Sequence, residues 1–485
     1  MTIYKLPSVA LLGIFDFYLD AWYAPYYAAY SGSWRTLVHV CRRWRIIILG
    51  SPRLLNLQLF CSSARSIRSI RPTLDIWPTL PVKISSFGYE KNGPVDNIAI
   101  ALEHKDRVCE INFCSVSSSD LEKYLALMQE PFLALTSLEL TWSDEEKAMI
   151  TQGSDSFLGG FAPRLQKLTL SGIPIPFLGL QKALLSANDL VELRLQNIPH
   201  LVYFSPDAIV TCLSASTNLE LLELIFQSPR SRPVREKRRP PPPTRALLPA
   251  LTYMMFKGVN EYLEDIVAQI DAPLLDELSI IFFHQLPFYT RQLAQFIGRA
   301  PKLGGRNEAH VVFSEHAVRV TLLLPSQPLS GEEVKLEVLC KHPDMQLLSA
   351  TQLCTLSFPQ AFIRTVEHLY IVERQYSSKP HWETDIQKSE WLNLLRPFTN
   401  VKDLYLSEKI VTLIAPGLRE LVGGKMPQVL PALQCLLVEG LHTSGPVMGA
   451  IGPFISARRL STRPIVASCW DREEDPWWDG GDSDY

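Results

Sequence analysis

The sequence contains no CxxC pair, no stretch of about 18 uninterrupted apolar residues and no surplus of one charge sign. Each absence excludes a class of function. Nine cysteines are scattered from Cys41 to Cys469, and histidine never joins them at ligand spacing. An odd, dispersed set points to reduced thiols and away from a zinc site or a disulfide framework. Without a long apolar run, no membrane span is expected. The 47 basic and 50 acidic side chains leave a net charge of −3, which argues against a protein that wraps nucleic acid. The motifs of catalysis are missing too. Gly423-Gly424-Lys425 lacks the spacing and the trailing hydroxyl of a phosphate loop, and no Gly-x-Ser-x-Gly elbow occurs. His310 and His316 flank a strand-like run with no acidic ligand motif, and Glu145-Glu146 and Glu332-Glu333 read as solvated faces. No enzyme, cofactor or metal is expected, and a cytoplasmic or nuclear location suits reduced thiols.

What is present is an ordinary folding composition, 47% hydrophobic over 485 residues, enough for two to four domains or one long repeat array. Near the start, Lys5 leads into the apolar run Leu6 to Phe15, as in a short signal peptide. Asp16 and Asp20 interrupt it and no small-residue cleavage site follows, so a folded helix is expected, with Leu11, Leu12, Phe15 and Leu19 on one face. The small and aromatic stretch Ala21 to Tyr30 reads as a loop. A second helix should begin near Ser33, place Trp34, Leu37, Val38, Cys41, Trp44 and Ile48 on one face, and stop at Gly50-Ser51-Pro52.

From residue 54 one pattern recurs: apolar, two others, apolar, one other, apolar. It reads Leu54/Leu57/Leu59, Val108/Ile111/Phe113, Leu135/Leu138/Leu140, Leu165/Leu168/Leu170, Leu190/Leu193/Leu195 and Leu219/Leu222/Leu224. Weaker copies follow at Leu251 and Leu275, and after a gap the pattern returns at Val366, Val401 and Leu433. First positions from Leu135 to Leu275 lie 24 to 32 residues apart, close to the period of roughly 20–29 residues in leucine-rich repeats. The last two apolar positions differ by two, so both face inward from a short strand, and stacked strands complete a core that none has alone. Leu121 to Leu127 and Leu178 to Leu185 have helical spacing, with Asp120 as a cap of the first. Ala162-Pro163-Arg164-Leu165, Ala272-Pro273-Leu274-Leu275 and Ala415-Pro416-Gly417-Leu418 read as turns leading into strands. Residues 228–246, rich in arginine and ending in a proline run, read as an unstructured insert, with a nuclear localisation patch or nucleic-acid contact as further readings. Residues 471–485 read as an unstructured acidic tail that carries Trp477 and Trp478.

The opening resembles an F-box. Leu6-Pro7, Leu11, Leu12, Ile14 and Phe15 match its first half, and Trp34, Leu37, Val40, Cys41, Arg42, Arg43, Trp44 and Arg45 its second, ending in Ser51-Pro52-Arg53-Leu54. An F-box followed by degenerate leucine-rich repeats resembles large fungal F-box families. The sequence departs from that pattern at Val9, where an acidic residue is usual, and at Ser143, Ile173 and Ile198, where repeats place Asn or Cys. The resemblance implies an α/β fold: a helical F-box at 1–53, an irregular leucine-rich-repeat solenoid with a curved parallel sheet at 54–440, and a C-terminal cap at 441–470. It also implies a substrate-recognition subunit of a cullin-RING ubiquitin ligase. In that role Leu6, Pro7, Leu11, Ile14, Phe15, Leu37, Val40 and Trp44 dock on a Skp-type adaptor. The outward strand positions Glu139, Thr169, Arg194, Glu223, Ser279, Tyr370 and Tyr405, with Thr141, Ser171, Gln196 and Lys257 one step further, hold a target protein. Neither nucleic acid nor a membrane is an expected partner. The alternative is a repeat scaffold with no ligase association, its N-terminal helices simply capping the first repeat.

Overall fold

A computed structural model describes residues 6–20, 34–51, 55–61, 69–87, 96–116, 118–142, 156–233, 244–283, 289–324, 333–340, 342, 344–374, 388–420, 429–441, 446–459 and 464–471. The chain parts into two compact units, Met1–Asn197 and Ile198–Tyr485. The first opens with three helices: α1 (Ser8–Asp20), α2 (Trp34–Val38) and α3 (Arg42–Leu49). The single helix expected from Ser33 is thus two. Cys41 breaks it by taking an extended conformation, and its Sγ caps α3 by accepting from the Trp44 N–H at 3.5 Å. The three helices still share one core of Leu11, Phe15, Trp34, Leu37, Val38 and Ile48.

Six parallel strands follow in sequence order: β1 (Leu57–Phe60), β2 (Val82–Phe87), β3 (Val108–Val116), β4 (Ser137–Trp142), β5 (Lys167–Ser171) and β6 (Glu192–Ile198). In register, Ile111, Leu138, Leu168 and Leu193 form one line, and Phe113, Leu140, Leu170 and Leu195 the next; all are buried. The motif residues are therefore the core. The helices Ser118–Leu127 and Phe177–Ser186 lie where the spacing predicts, with Asp120 inside the first turn.

Each repeat is entered through a tight turn. The N–H of Leu135, Leu165 and Leu190 donates to the carbonyl three residues earlier, on Phe132, Ala162 and Ala187. Two residues beyond the last strand position, the chain turns through a left-handed residue, Gly172 (φ 73°) and Asn197 (φ 49°). A Cβ on Gly172 would crowd the Trp142 carbonyl oxygen at 3.2 Å, so glycine suits this turn for space as well as conformation. Where regular repeats use Asn or Cys, Ile173 and Ile198 are buried, and apolar packing replaces a hydrogen-bonded ladder.

The second unit contains β7 (Leu221–Phe226), β8 (Ala246–Leu247), β9 (Tyr253–Gly258), β10 (Ile270–Asp271), β11 (Glu277–Phe282), β12 (Glu308–Phe313), β13 (Ala317–Leu323), β14 (Glu333–Leu339), β15 (His368–Glu373), β16 (Asp403–Leu406), β17 (Cys435–Glu439) and β18 (Val466–Trp470). Its main sheet runs β7-β9-β11-β14-β13-β12-β15-β16-β17-β18, and β8 pairs with β10 separately. All main pairs are parallel except those of β13, which lies antiparallel between β14 and β12. The gap in the repeat pattern is thus filled by an antiparallel meander within the same sheet. Its residues alternate, with Ala309, Val311 and Phe313, then Val318, Val320 and Leu322, then Val334, Leu336 and Val338 buried.

Three sequence expectations change here. Pro416 lies within the helix Glu408–Glu420, because Ile410, Val411, Ile414 and Leu418 bury one continuous face across it. The strand-entry turn comes later, where the Leu433 N–H donates to the Leu430 carbonyl. The insert is narrower than 228–246, since Ser231 is buried and Ala246 belongs to β8; residues 234–243 lie outside the described residues. The segment 441–470 repeats the helix–strand pattern with a helix at Pro446–Arg459 and β18 parallel to β17. Leu54, the Ala21–Tyr30 loop, Glu145-Glu146, Gly423-Gly424-Lys425 and residues 472–485 lie outside the described residues. No described helix is long and apolar enough to cross a membrane.

Candidate protein-interaction surface

Alternation along each strand leaves a second sheet face opposite the core. In the first unit its central row reads Asn112, Glu139, Thr169, Arg194 across β3 to β6. Asn112 Nδ2 donates to Glu139 Oε2 at 2.8 Å. Burial pushes the Glu139 carboxyl above its usual range, Arg194 draws it down and Glu110 pushes it further up. Two positions earlier on the strands, cation and anion alternate: Lys83 meets Glu110 at 2.7 Å and Lys167 meets Glu192 at 2.5 Å. Thr169, Thr141 and Gln196 are half-buried, and Ser171 is buried.

In the second unit the corresponding row reads Glu223, Met255, Ser279, Lys335, Thr321, His310, Tyr370, Tyr405, Leu437 and Ser468. Glu223 and Ser279, both expected to meet a partner, are buried and cannot offer much surface. Tyr370, Tyr405 and Lys257 remain half-exposed. The Tyr370 and Tyr405 rings stack at 4.0 Å with 10° between their planes. His310 lies against the other side of Tyr370 at 4.4 Å, and Trp470 meets both tyrosines edge-on at 5.7 and 5.5 Å. His310 and Trp470 belong to this constellation but escaped the sequence pattern, because β12 lies in the repeat gap and β18 has no LxxLxL triplet.

The neighbouring row carries carboxylates. Glu333, Leu323, Glu308, His368 and Asp403 are in register across β14 to β16, and Glu277 precedes Leu278, whose partner Val334 follows Glu333. Burial pushes the Glu277 carboxyl up to about 7, and repulsion from Glu333 and Asp276 adds to this while Lys335 opposes it. His310 Nε2 pairs with Glu308 at 2.5 Å and His368 Nδ1 with Asp403 at 2.9 Å.

The N-terminal helices divide the eight expected adaptor contacts. Leu11, Phe15 and Leu37 are buried in the helical core, while Leu6 and Trp44 pack against it half-buried. Those five pack within or against the helical core. Pro7, Ile14 and Val40 are exposed. Further apolar side chains stand outward where the sequence reading had not placed contacts: Val9 (80% exposed) and Phe17 (75%) on α1, Ile46 (62%) and Leu49 (48%) on α3. The helices also join the first repeat: Trp34 Nε1 donates to the Asn56 carbonyl at 2.7 Å, and its ring meets Trp77 edge-on at 5.7 Å.

No family model matches the sequence, and no curated protein matches it. Among solved structures, the chain is similar to the leucine-rich repeat-containing protein LegL7 from Legionella pneumophila, at 16% identity and a TM-score of 0.28, over 70% of this chain and 96% of that one. So loose a superposition leaves the repeat assignment resting on the strand register and the buried motif residues above.

Proposed function

We propose that the chain is a repeat-based protein-interaction scaffold whose open sheet face holds a target protein. The observation that supports this reading is the face itself: half-exposed tyrosines and mixed charges on a strand framework, with no basic stripe among the described residues that would suit a phosphate backbone. The finer reading is a ubiquitin-ligase substrate receptor, in which the outer side chains of α1–α3 dock on a Skp-type adaptor. Support comes from the F-box-like sequence and from Val9, Ile14, Phe17, Val40, Ile46 and Leu49, apolar side chains that a small helical unit leaves in water unless a partner covers them. Co-purification with the adaptor tests it. Val40→Asp combined with Ile46→Asp should abolish capture while the melting temperature holds; undiminished capture by the folded variant would reject the docking role.

A second reading has its own observation. The Trp34 contacts to Asn56 and Trp77 show α2 seated on the first repeat, as the cap of a repeat stack would be. If capping is the whole role, no adaptor is captured, and removing residues 1–50 lowers the stability of the first unit sharply.

A further inference from the structure

The second unit's open face gathers acidic side chains in one row, of which Glu308 and Asp403 meet His310 and His368 while Glu277 and Glu333 stand against each other. Glu277 and Glu333 stand side by side on β11 and β14, and Glu308 and Asp403 continue the row toward the tyrosine stack. Nearby bases are engaged elsewhere: Arg319 Nε binds Glu337 at 2.9 Å, and Lys302 lies 3.6 Å from Asp276. Among the described residues, Lys335 faces Glu277 from the adjoining row and draws its carboxyl down. Burial raises the Glu277 carboxyl first, and the negative charge of Glu333 and Asp276 adds to it, a crowding that a visiting cation would relieve.

The aromatic end supplies a different contact. His310, Tyr370 and Tyr405 occupy one another's ring faces, so a visitor meets ring edges and phenol oxygens with Glu308 and Asp403 on the next row. Such a surface covers the aliphatic stem of an arginine and accepts from its guanidinium. Acidic side chains repel phosphate, which sets nucleic acid and anionic membranes aside. Four strand spacings separate the carboxylate pair from the tyrosine pair, roughly 19 Å at about 4.8 Å per strand. An extended chain covers that span in about six residues.

We propose that this face receives an extended protein segment bearing two cationic side chains about six residues apart, one at Glu277 and Glu333, the other at Tyr370 and Tyr405. The proposal rests on the scaffold reading and specifies the chemistry of its partner.

The test pans a random dodecapeptide phage library on the full chain and measures the best peptide, synthesised, by fluorescence anisotropy. Selected sequences should be enriched in arginine and lysine at that spacing. Affinity should fall about tenfold or more in the Glu277→Gln/Glu333→Gln variant and should weaken with added salt. These isosteric changes spare the core, which a thermal melt verifies. A selection without basic enrichment, or equal affinity in the double variant, overturns the proposal. Peptides that lack basic residues yet lose binding in Tyr370→Ala/Tyr405→Ala would overturn the cationic partner while the face remained an interaction surface. Adaptor capture by the same preparations reads α1–α3 alone, so failure of the ligase reading shows up separately.

Discussion

The two units share a strand grammar but treat their open faces differently. In the first, Lys83, Glu110, Lys167 and Glu192 answer one another along the sheet, and Asn112 satisfies Glu139. In the second, pairs such as His310–Glu308 and Arg319–Glu337 form as well, but Glu277 and Glu333 sit together as like charges, and aromatic rings stack beyond them. A face that neutralises itself has little left to offer a ligand. A face that holds like charges and half-covered rings has stability to gain from one. A shared strand pattern therefore does not imply equal use of the two surfaces.

The largest expected effect tests whether the two cores are equivalent. Leu193→Ala in the first unit and Leu336→Ala in the meander of the second should each cost about 2–5 kcal/mol in chemical denaturation, as fully buried truncations. A much smaller loss at Leu336 would show the meander to be a loose addition to the sheet.

Tyr405→Ala should cost about 0.5–1.5 kcal/mol beyond the area it buries, because it removes the stacked pair. Thr169→Ala, at the matching position of the first unit, has no ring to lose, and equal losses at the two sites would break the comparison.

The paired carboxylates predict a pH signature. The Glu277 carboxyl is raised from an ordinary 4.5 to about 7, so between those values the folded chain holds a proton that the unfolded chain releases. Stability from this group is present below 4.5 and is lost as pH rises through 7; for a half-exposed group the change is on the order of 1 kcal/mol. Glu277→Gln should flatten that decline in urea midpoints measured from pH 5 to 8, and an unchanged slope would assign the decline to other groups.

The smallest effect belongs to the first unit's ion pairs. Lys167→Ala should change stability by about 0–1 kcal/mol, less at high salt, since its side chain is more than half exposed.

The regular strands were legible because LxxLxL places two residues inward from each strand, and every motif residue described is buried. The meander was not, because β12 to β14 alternate with period two and lack the first leucine of the triplet. β2 escaped for a similar reason: only Val82 and Ile84 mark it. On the candidate surface, Tyr370 and Tyr405 could be placed by alternation alone, and they do meet. The acidic row could not be seen, since Glu277 and Glu333 are 56 positions apart and come together only when β14 takes the place beside β11. At the N-terminus the pattern identified the apolar residues but not which way they face. Packing turned Leu11, Phe15 and Leu37 inward and left Phe17 and Ile46 outside.

The antiparallel meander also bears on how the chain reaches this state. Parallel neighbours in the repeats can meet only after some 25 to 30 intervening residues close a loop, whereas β12 and β13 are joined by the turn in which the Ser314 N–H donates to the Ala317 carbonyl at 2.9 Å. Short loops close at lower entropic cost and sooner, so this hairpin can pair before any repeat has found its neighbour. Once β14 has paired with β13, the meander presents two edges, β12 and β14, on which β15 and β11 can dock from opposite directions. In pulsed hydrogen exchange during refolding, the amides of Val311 to Val320 should gain protection first, with protection then spreading both ways along the second unit's sheet.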